Sequence, residues 1–190
     1  VWEDKDELLA DGTVDCLWSS YSMNGREDKY QWAGPYLYSR QMVVVKNESE
    51  IQTLSDLKGK RIAVQATTKA EDLFLHNIKS DLPQMQQVNC FSTTNEIYAA
   101  LRKSYVDAIA GHEAMLGSLV KEGKDAYRML DESIYKSELG VAFKKGTHEE
   151  VAADLTETLK KLQREGITEK IVTKYGLDAD EILPEGEQNE

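Results

Sequence analysis

The feature that most constrains this chain is the alternation of short β-branched runs with helical patterns. Met42-Val43-Val44-Val45 is an apolar run closed by Lys46-Asn47 and reads as a buried strand. Arg61-Ile62-Ala63-Val64, Val88-Asn89-Cys90-Phe91, residues 106–110 and residues 139–143 read as further strands, and residues 14–18 as an earlier one. Between them lie helical patterns. Residues 4–10 form one, stopped by Gly12, and residues 54–57 make a short turn closed by Gly59. Residues 68–78 place Leu73, Phe74 and Ile78 on one face, and residues 112–121 form another helix. Thr93-Thr94-Asn95-Glu96 is a capping box in front of Ile97, Ala100 and Leu101. Thr147-His148-Glu149-Glu150 reads as a second box, opening a helix with Val151, Leu155, Leu159 and Leu162 that ends at Gly166. Residues 168–175 make a last helix, ended by Gly176, before an acidic, solvated tail after Asp178. Gly34-Pro35 reads as a turn. Strands alternating with helices predict an α/β protein with mostly parallel sheet.

Composition narrows the function classes. Lys and Arg total 23 and Asp and Glu 34, so the formal charge is 23 − 34 = −11. Nucleic acid is disfavoured as a partner, because binding it needs a basic face that displaces counterions, and so is an anionic membrane surface. No apolar run approaches the ~18 residues of a spanning helix. Cys16 and Cys90 are too far apart in sequence for a C-x-x-C pair and read as two buried small hydrophobes. No metal cluster, nucleotide loop or hydrolase motif is present, so no cofactor and no catalysis are expected. His76 lies in a polar helical stretch, and Asn47-Glu48-Ser49 fits a glycosylation sequon to which little meaning attaches.

An internal echo organises the chain. Leu9-Ala-Asp-Gly-Thr-Val14-Asp15 is matched by Leu101-Arg-Lys-Ser-Tyr-Val106-Asp107, each a helix end followed by a strand start. Two lobes built on one plan are expected. Five residues after each Asp come Ser20 and His112, and Thr67 and Thr68 follow the strand that ends at Gln65. Ligands of open α/β sheets bind beyond strand carboxyl ends, near helix N-termini. These positions therefore predict a polar crevice suited to a carboxylate.

Trp2, Val14-Asp15, Ser20-Tyr21-Ser22, Arg26, Gly34-Pro35-Tyr36, Asp56-Leu57-Lys58-Gly59-Lys60 with the following Ile62-Ala63-Val64-Gln65, and Val106-Asp107-Ala108 occur in order. They are followed by Gly140-Val141-Ala142-Phe143-Lys144-Lys145 and Lys174-Tyr175-Gly176. This ordered set resembles the extracellular solute-binding proteins of family 3, the polar amino-acid receptors of ABC importers, over essentially the whole chain. The resemblance implies a two-lobe, periplasmic-binding-protein-like α/β fold that closes like a hinge over an amino acid. Lobe 1 would comprise residues 1–38 plus 138–190, and lobe 2 residues 39–137. It also implies a strand, a helix and a second strand before Trp2, about 40–50 residues at average lengths. Lobe 1 and the site would then be incomplete here, so weak ligand binding, or association with another chain through the uncovered face of lobe 1, is expected.

The resemblance assigns roles by position. Arg26 would hold the ligand carboxylate with its guanidinium fork; the spacing Ser22-Met-Asn-Gly-Arg26 is one residue shorter than the commoner form. Ser20 and Ser22 would bond the ligand head group. Thr68, or Thr67 by a one-residue shift, would offer a hydroxyl and an N–H at a helix N-terminus, with Lys69 adding charge. Trp2 would cover the ligand side chain, and Tyr21 is either a second wall or packing. His112 stands where the family usually has an aspartate for the ligand ammonium. Glu113 substitutes for it, or the ligand lacks a free α-amine, or His112 only caps its helix. The implied function is binding of an amino acid or related carboxylate and delivery to ABC permease subunits. The implied place is extracellular (the periplasm or the outer face of the membrane), with a lipid anchor on a preceding N-terminus. An extracellular sensor domain is the alternative, and a dehydratase-like enzyme using Glu113 the remote one.

Overall fold

A computed structural model describes residues 1–76, 81–123 and 125–184. In chain order the elements are α1 (Lys5–Ala10), β1 (Cys16–Ser22), β2 (Tyr30–Lys46), β3 (Arg61–Gln65), α2 (Lys69–Leu75) and β4 (Gln87–Phe91). There follow α3 (Thr94–Arg102), β5 (Ala108–His112), α4 (Glu113–Glu122), β6 (Tyr127–Met129), β7 (Tyr135–Lys144), α5 (Glu149–Arg164), α6 (Ile167–Lys174) and α7 (Ala179–Ile182). Single 3-10 turns cover Trp2–Asp4 and Leu54–Leu57. The chain divides into two compact units: Val1–Asp4 with Arg40–Lys136, and Lys5–Ser39 with Ser137–Glu190. The first four residues thus group with 40–136, not with 5–39.

In the first unit the sheet order is β2-β5-β3-β4, with β6 also on β2. The pairs β3–β4 and β3–β5 are parallel, while β2–β5 and β2–β6 are antiparallel. Parallel pairing is confined to strands joined through α2 and α3, which supply the crossovers it needs. The sheet is therefore mixed where mostly parallel pairing is expected. Strand alternation decides the two cores. Val43, Val45, Ile62, Val64, Ala108 and Ala110 face Leu57 and α2 residues Ala70, Leu73 and Phe74. Met42, Val44, Ala63 and Ile109 face Ile97, Ala100 and Leu101 of α3 and Leu116 of α4. Each of the larger side chains, fully buried, contributes about 1.5–3 kcal/mol of transfer free energy. Ile78, expected on the α2 face, lies outside the described residues. The capping box at α3 forms as expected: Thr93 Oγ1 accepts the Glu96 N–H, and the Thr93 N–H donates to the Glu96 carboxylate.

In the second unit the order is β1-β7-β2, over a small core of Ala33, Val141, Phe143 and Ala152. β1 pairs antiparallel with β7, Trp18 opposite Val141 and Ser22 opposite Leu139, with a register shift between Trp18 and Ser22. That bulge breaks the period of two, so the consecutive residues Tyr21 and Ser22 are both buried. Gly34-Pro35, expected as a turn, lies inside β2. The reason is that β7 runs beside β2 in the sheet: Gly140 Cα and the Leu139 carbonyl oxygen lie 3.4 Å from where a Gly34 Cβ would stand. The Gly34 N–H donates to Thr156 Oγ1 of α5 at 3.1 Å.

Several local expectations change. The strand expected over residues 14–18 runs from Cys16 to Ser22, so Ser20 is internal to it. The second capping box does not form: Thr147 Oγ1 donates to the Lys144 carbonyl, and His148 takes a left-handed conformation with φ 56°. On α5 only Ala152 is buried, and Val151 is 51% exposed. The tail after Asp178 is not wholly solvated, because Asp178 caps α7 and Ile182 is buried. Of the two cysteines, Cys16 is half-buried and Cys90 exposed, so neither is a core residue.

Candidate functional site

The candidate residues fall on both units. Tyr21, Ser22 and Arg26, with Ser20, belong to the unit of 5–39, and Trp2, Thr67, Thr68, Lys69 and His112 to the unit of 40–136.

In the first group the local chain builds a platform. Past β1, the Met23 N–H donates to the Glu138 carbonyl, and the Arg26 N–H donates back to the Met23 carbonyl, both at 2.8 Å. This closes a four-residue turn through Asn24 and Gly25. Asn24 Oδ1 accepts the Ser22 hydroxyl and the Glu138 backbone N–H. Arg26 emerges half-buried with its guanidinium 5.3 Å from the Tyr21 ring centroid, and its Nη1 donates to the Ser22 carbonyl at 3.4 Å. The Trp32 indole N–H donates to the Arg26 carbonyl at 3.0 Å. Tyr21 is thus buried, with its ring beneath the guanidinium.

A hydrogen-bond chain fixes that support. The Tyr21 hydroxyl donates to the Tyr30 hydroxyl at 2.7 Å, and the Tyr30 hydroxyl donates to the Asp6 carboxylate. Lys29 Nζ donates to the other Asp6 oxygen at 2.7 Å. Burial and the bond to Tyr30 push the Tyr21 hydroxyl's pKa up. Tyr30 is pushed up to about 12, by burial first and Asp6 second. Partial burial raises Asp6, but the Lys29 and Tyr30 bonds outweigh it and leave the carboxyl below its ordinary value. The rings of Tyr21, Tyr30 and Trp32 pack with centroids 5.3–5.5 Å apart. Ser22 is buried, whereas Ser20 is exposed on the bulged strand. A cavity of about 280 Å³ in this unit, lined by Asp6, Leu9, Lys29 and Lys144 among others, includes none of the candidate residues.

In the second group, His112 is the last residue of β5 and precedes α4. It stands opposite Gln41 in the β2–β5 register, with the Gln41 amide nitrogen 3.0 Å from its Nδ1. Its side chain makes no capping bond to α4. Glu113 is held by Arg40 through two hydrogen bonds. Thr67 takes a left-handed conformation, φ 58°, and its N–H donates to the Glu71 carboxylate. Thr68 occupies the N-cap position of α2, but its hydroxyl donates to the Gln65 carbonyl at 2.6 Å. Lys69 is 6% exposed, its ammonium 5.3 Å from the centroid of the Tyr135 ring. Trp2 is half-buried on its 3-10 turn.

Sequence reasoning missed Asn24, Tyr30 and Trp32 around Arg26, and Arg40 and Gln41 around His112. Asn24-Gly25 is a turn dipeptide, the only one of these signals visible locally. Among the described residues no group of three His, Cys, Asp or Glu side chains could hold a metal ion.

The family model for bacterial extracellular solute-binding proteins, family 3, matches residues 1–178. The chain is 29% identical over 152 residues to the L-cystine-binding protein TcyJ of Escherichia coli strain K12, covering 79% of this chain and 55% of that protein. It spans about half the length of that curated relative. The solved substrate-binding protein of an amino acid ABC transporter superposes with TM-score 0.77 at 26% identity, over 92% of this chain and 76% of that one. The cysteine-binding protein from Campylobacter jejuni superposes with TM-score 0.81 at 23% identity, over 96% and 75%, a likeness of fold alone.

Proposed function

The chain belongs to the bacterial extracellular solute-binding proteins of family 3, and from that premise we propose that it binds an amino acid or related small carboxylate for an ABC importer. The observation that carries this reading is the seating of Arg26. Its guanidinium lies over the buried Tyr21 ring and is tied to the Ser22 carbonyl. A planar, permanently charged fork held in this way suits a carboxylate. It does so in a chain of net charge −11, where a solvated anion is otherwise repelled. One similar protein of known structure is the substrate-binding protein of an amino acid ABC transporter, which supports the same ligand class and the same partner. No helix among the described residues is long and apolar enough to cross a membrane. Delivery in the periplasm or at the outer face of the membrane, from a lipid anchor preceding Val1, completes the proposal.

Calorimetry against a panel of L-amino acids tests it. The protein is expected to bind at least one member, with R26A weakening that ligand by about 100-fold, the scale of a lost charge-assisted pair. Absence of binding to every carboxylate-bearing ligand, or unchanged affinity in R26A, overturns it. No specific observation favours the sensor reading. No specific observation favours the dehydratase-like reading either: Glu113, the carboxylate it would use, is paired with Arg40.

A further inference from the structure

Arg26 can act on a ligand only if its backbone is held still, and the hold comes from a residue that touches neither the guanidinium nor Tyr21 in the bonds described above. β1 leaves the sheet at Ser22, yet both backbone groups of Glu138 on β7 remain satisfied. The Glu138 carbonyl accepts the Met23 N–H at 2.8 Å. The Glu138 N–H, which an antiparallel ladder would give to a backbone carbonyl, donates instead to Asn24 Oδ1 at 2.7 Å. The side-chain amide takes the place of a strand carbonyl, freeing the backbone to turn through Gly25, φ 76°. The turn then delivers Arg26, whose N–H closes it on the Met23 carbonyl. The same Oδ1 accepts the Ser22 hydroxyl at 3.3 Å, and the Ser22 carbonyl is the acceptor for Arg26 Nη1.

We propose that Asn24 is the positioning residue of the ligand-binding arginine: its Oδ1, bolted to the Glu138 N–H, fixes the turn that aims Arg26. This rests on the reading of Arg26 as the carboxylate ligand. The residue type follows from two demands. The position needs an acceptor oxygen at a reach of two side-chain carbons, which Ala and Leu lack. It also needs neutrality, because an added carboxylate two residues from the guanidinium competes with the ligand's own.

The experiment combines amide hydrogen exchange at Glu138, measured without ligand, with affinity for the tightest amino acid of the panel. N24A is expected to speed Glu138 exchange at least tenfold and to weaken binding at least tenfold. N24D keeps an acceptor, so slow exchange is retained while binding still weakens. In a cycle with R26A, read by NMR titration at millimolar ligand, N24A adds no further loss, as two residues acting as one unit require. Unchanged Glu138 exchange in N24A overturns the proposal, and so does a loss that adds in full to that of R26A. If the wild type binds no amino acid, the Arg26 reading fails and this one with it. Wild-type binding with undiminished affinity in N24A overturns this one alone.

Discussion

Arg40 grips Glu113 with a parallel pair of hydrogen bonds, Nε to Oε2 at 2.9 Å and Nη2 to Oε1 at 2.6 Å. Both side chains are partly buried, 30% and 22% exposed. The pair ties β2 to the first turn of α4, where an acidic side chain also complements the helix dipole. Glu113 therefore works as a strut. E113Q is expected to lower stability by about 1 kcal/mol, the scale of a partly buried charge-assisted bond, and to leave ligand affinity within about threefold. Urea unfolding and calorimetry measure the two effects. A large affinity loss at unchanged stability would instead make Glu113 a ligand contact.

The Tyr21 ring and the Tyr21 hydroxyl do separable things. The ring lies 5.3 Å under the Arg26 guanidinium, while the hydroxyl heads the chain to Tyr30 and Asp6. Y21F keeps the cation–π support and loses one buried hydrogen bond, so it should cost about 1 kcal/mol of stability and little affinity. Y21L removes the ring and should weaken binding about two- to fivefold, the scale of a cation–π contact of about 0.5–1 kcal/mol. Equal affinity losses in the two variants would show that the ring does not support Arg26.

Asp107, immediately before β5, takes a forked bond from Arg61, Nε to Oδ2 at 3.1 Å and Nη2 to Oδ1 at 2.7 Å, and the Arg61 backbone N–H as well. The Arg61 side-chain bonds hold its carboxyl below the ordinary carboxylate value, against a smaller opposing effect of partial burial. A folded-state pKa below the unfolded one contributes stability that is full above the unfolded value of about 3.9 and is lost as pH falls through the folded value. D107N should therefore unfold at lower urea than wild type near pH 7, and the gap should close in acid. A gap that persists undiminished to about pH 2 would show that packing, not ionisation, sets the effect.

The two halves of the internal echo show how far local pattern reaches. Leu9 and Leu101 are both buried, and each strand starts one residue after its Asp, at Cys16 and Ala108. Asp107, however, has Arg61 as partner, whereas Asp15 is exposed. β3, β5 and the α3 cap are legible because a short continuous apolar run, buried on both faces, and a Thr-x-x-Glu box are local chemistry. β6 is three residues long and exists because β2 offers an edge at Val44–Lys46, which no local pattern announces. The same holds for Gly34-Pro35: locally a turn, it becomes strand because β7 pairs alongside. Thr147 fits a box, but its hydroxyl finds the Lys144 carbonyl first. Around Arg26, the Ser-Tyr-Ser and Arg spacing is readable from the chain. The bolt at Asn24 depends on Glu138, 114 residues along the chain, which spacing alone does not reveal, and Trp32, only six residues from Arg26, reaches it because β2 folds back beside the turn.

Gly140 sits on β7 beneath this same turn, and its missing side chain makes room for it. A Cβ there would come within 2.6 Å of Met23 Sδ and 2.9 Å of Trp32 Cε3. Methionine can swing away, but the Trp32 ring is wedged between Tyr21 and Tyr30. G140A should therefore lower stability by about 1–3 kcal/mol, the usual cost of overpacking. It should also shift Trp32 fluorescence and weaken ligand binding, because the Trp32 indole anchors the Arg26 carbonyl. Gly117 on α4 is the control, since a Cβ there meets nothing within 4 Å. G117A should stabilise by about 0.5–1 kcal/mol through helix propensity alone, with affinity unchanged. Urea unfolding and calorimetry on the two variants give opposite signs for stability if packing under the turn is the cause. The same sign in both would place the effect in the backbone instead.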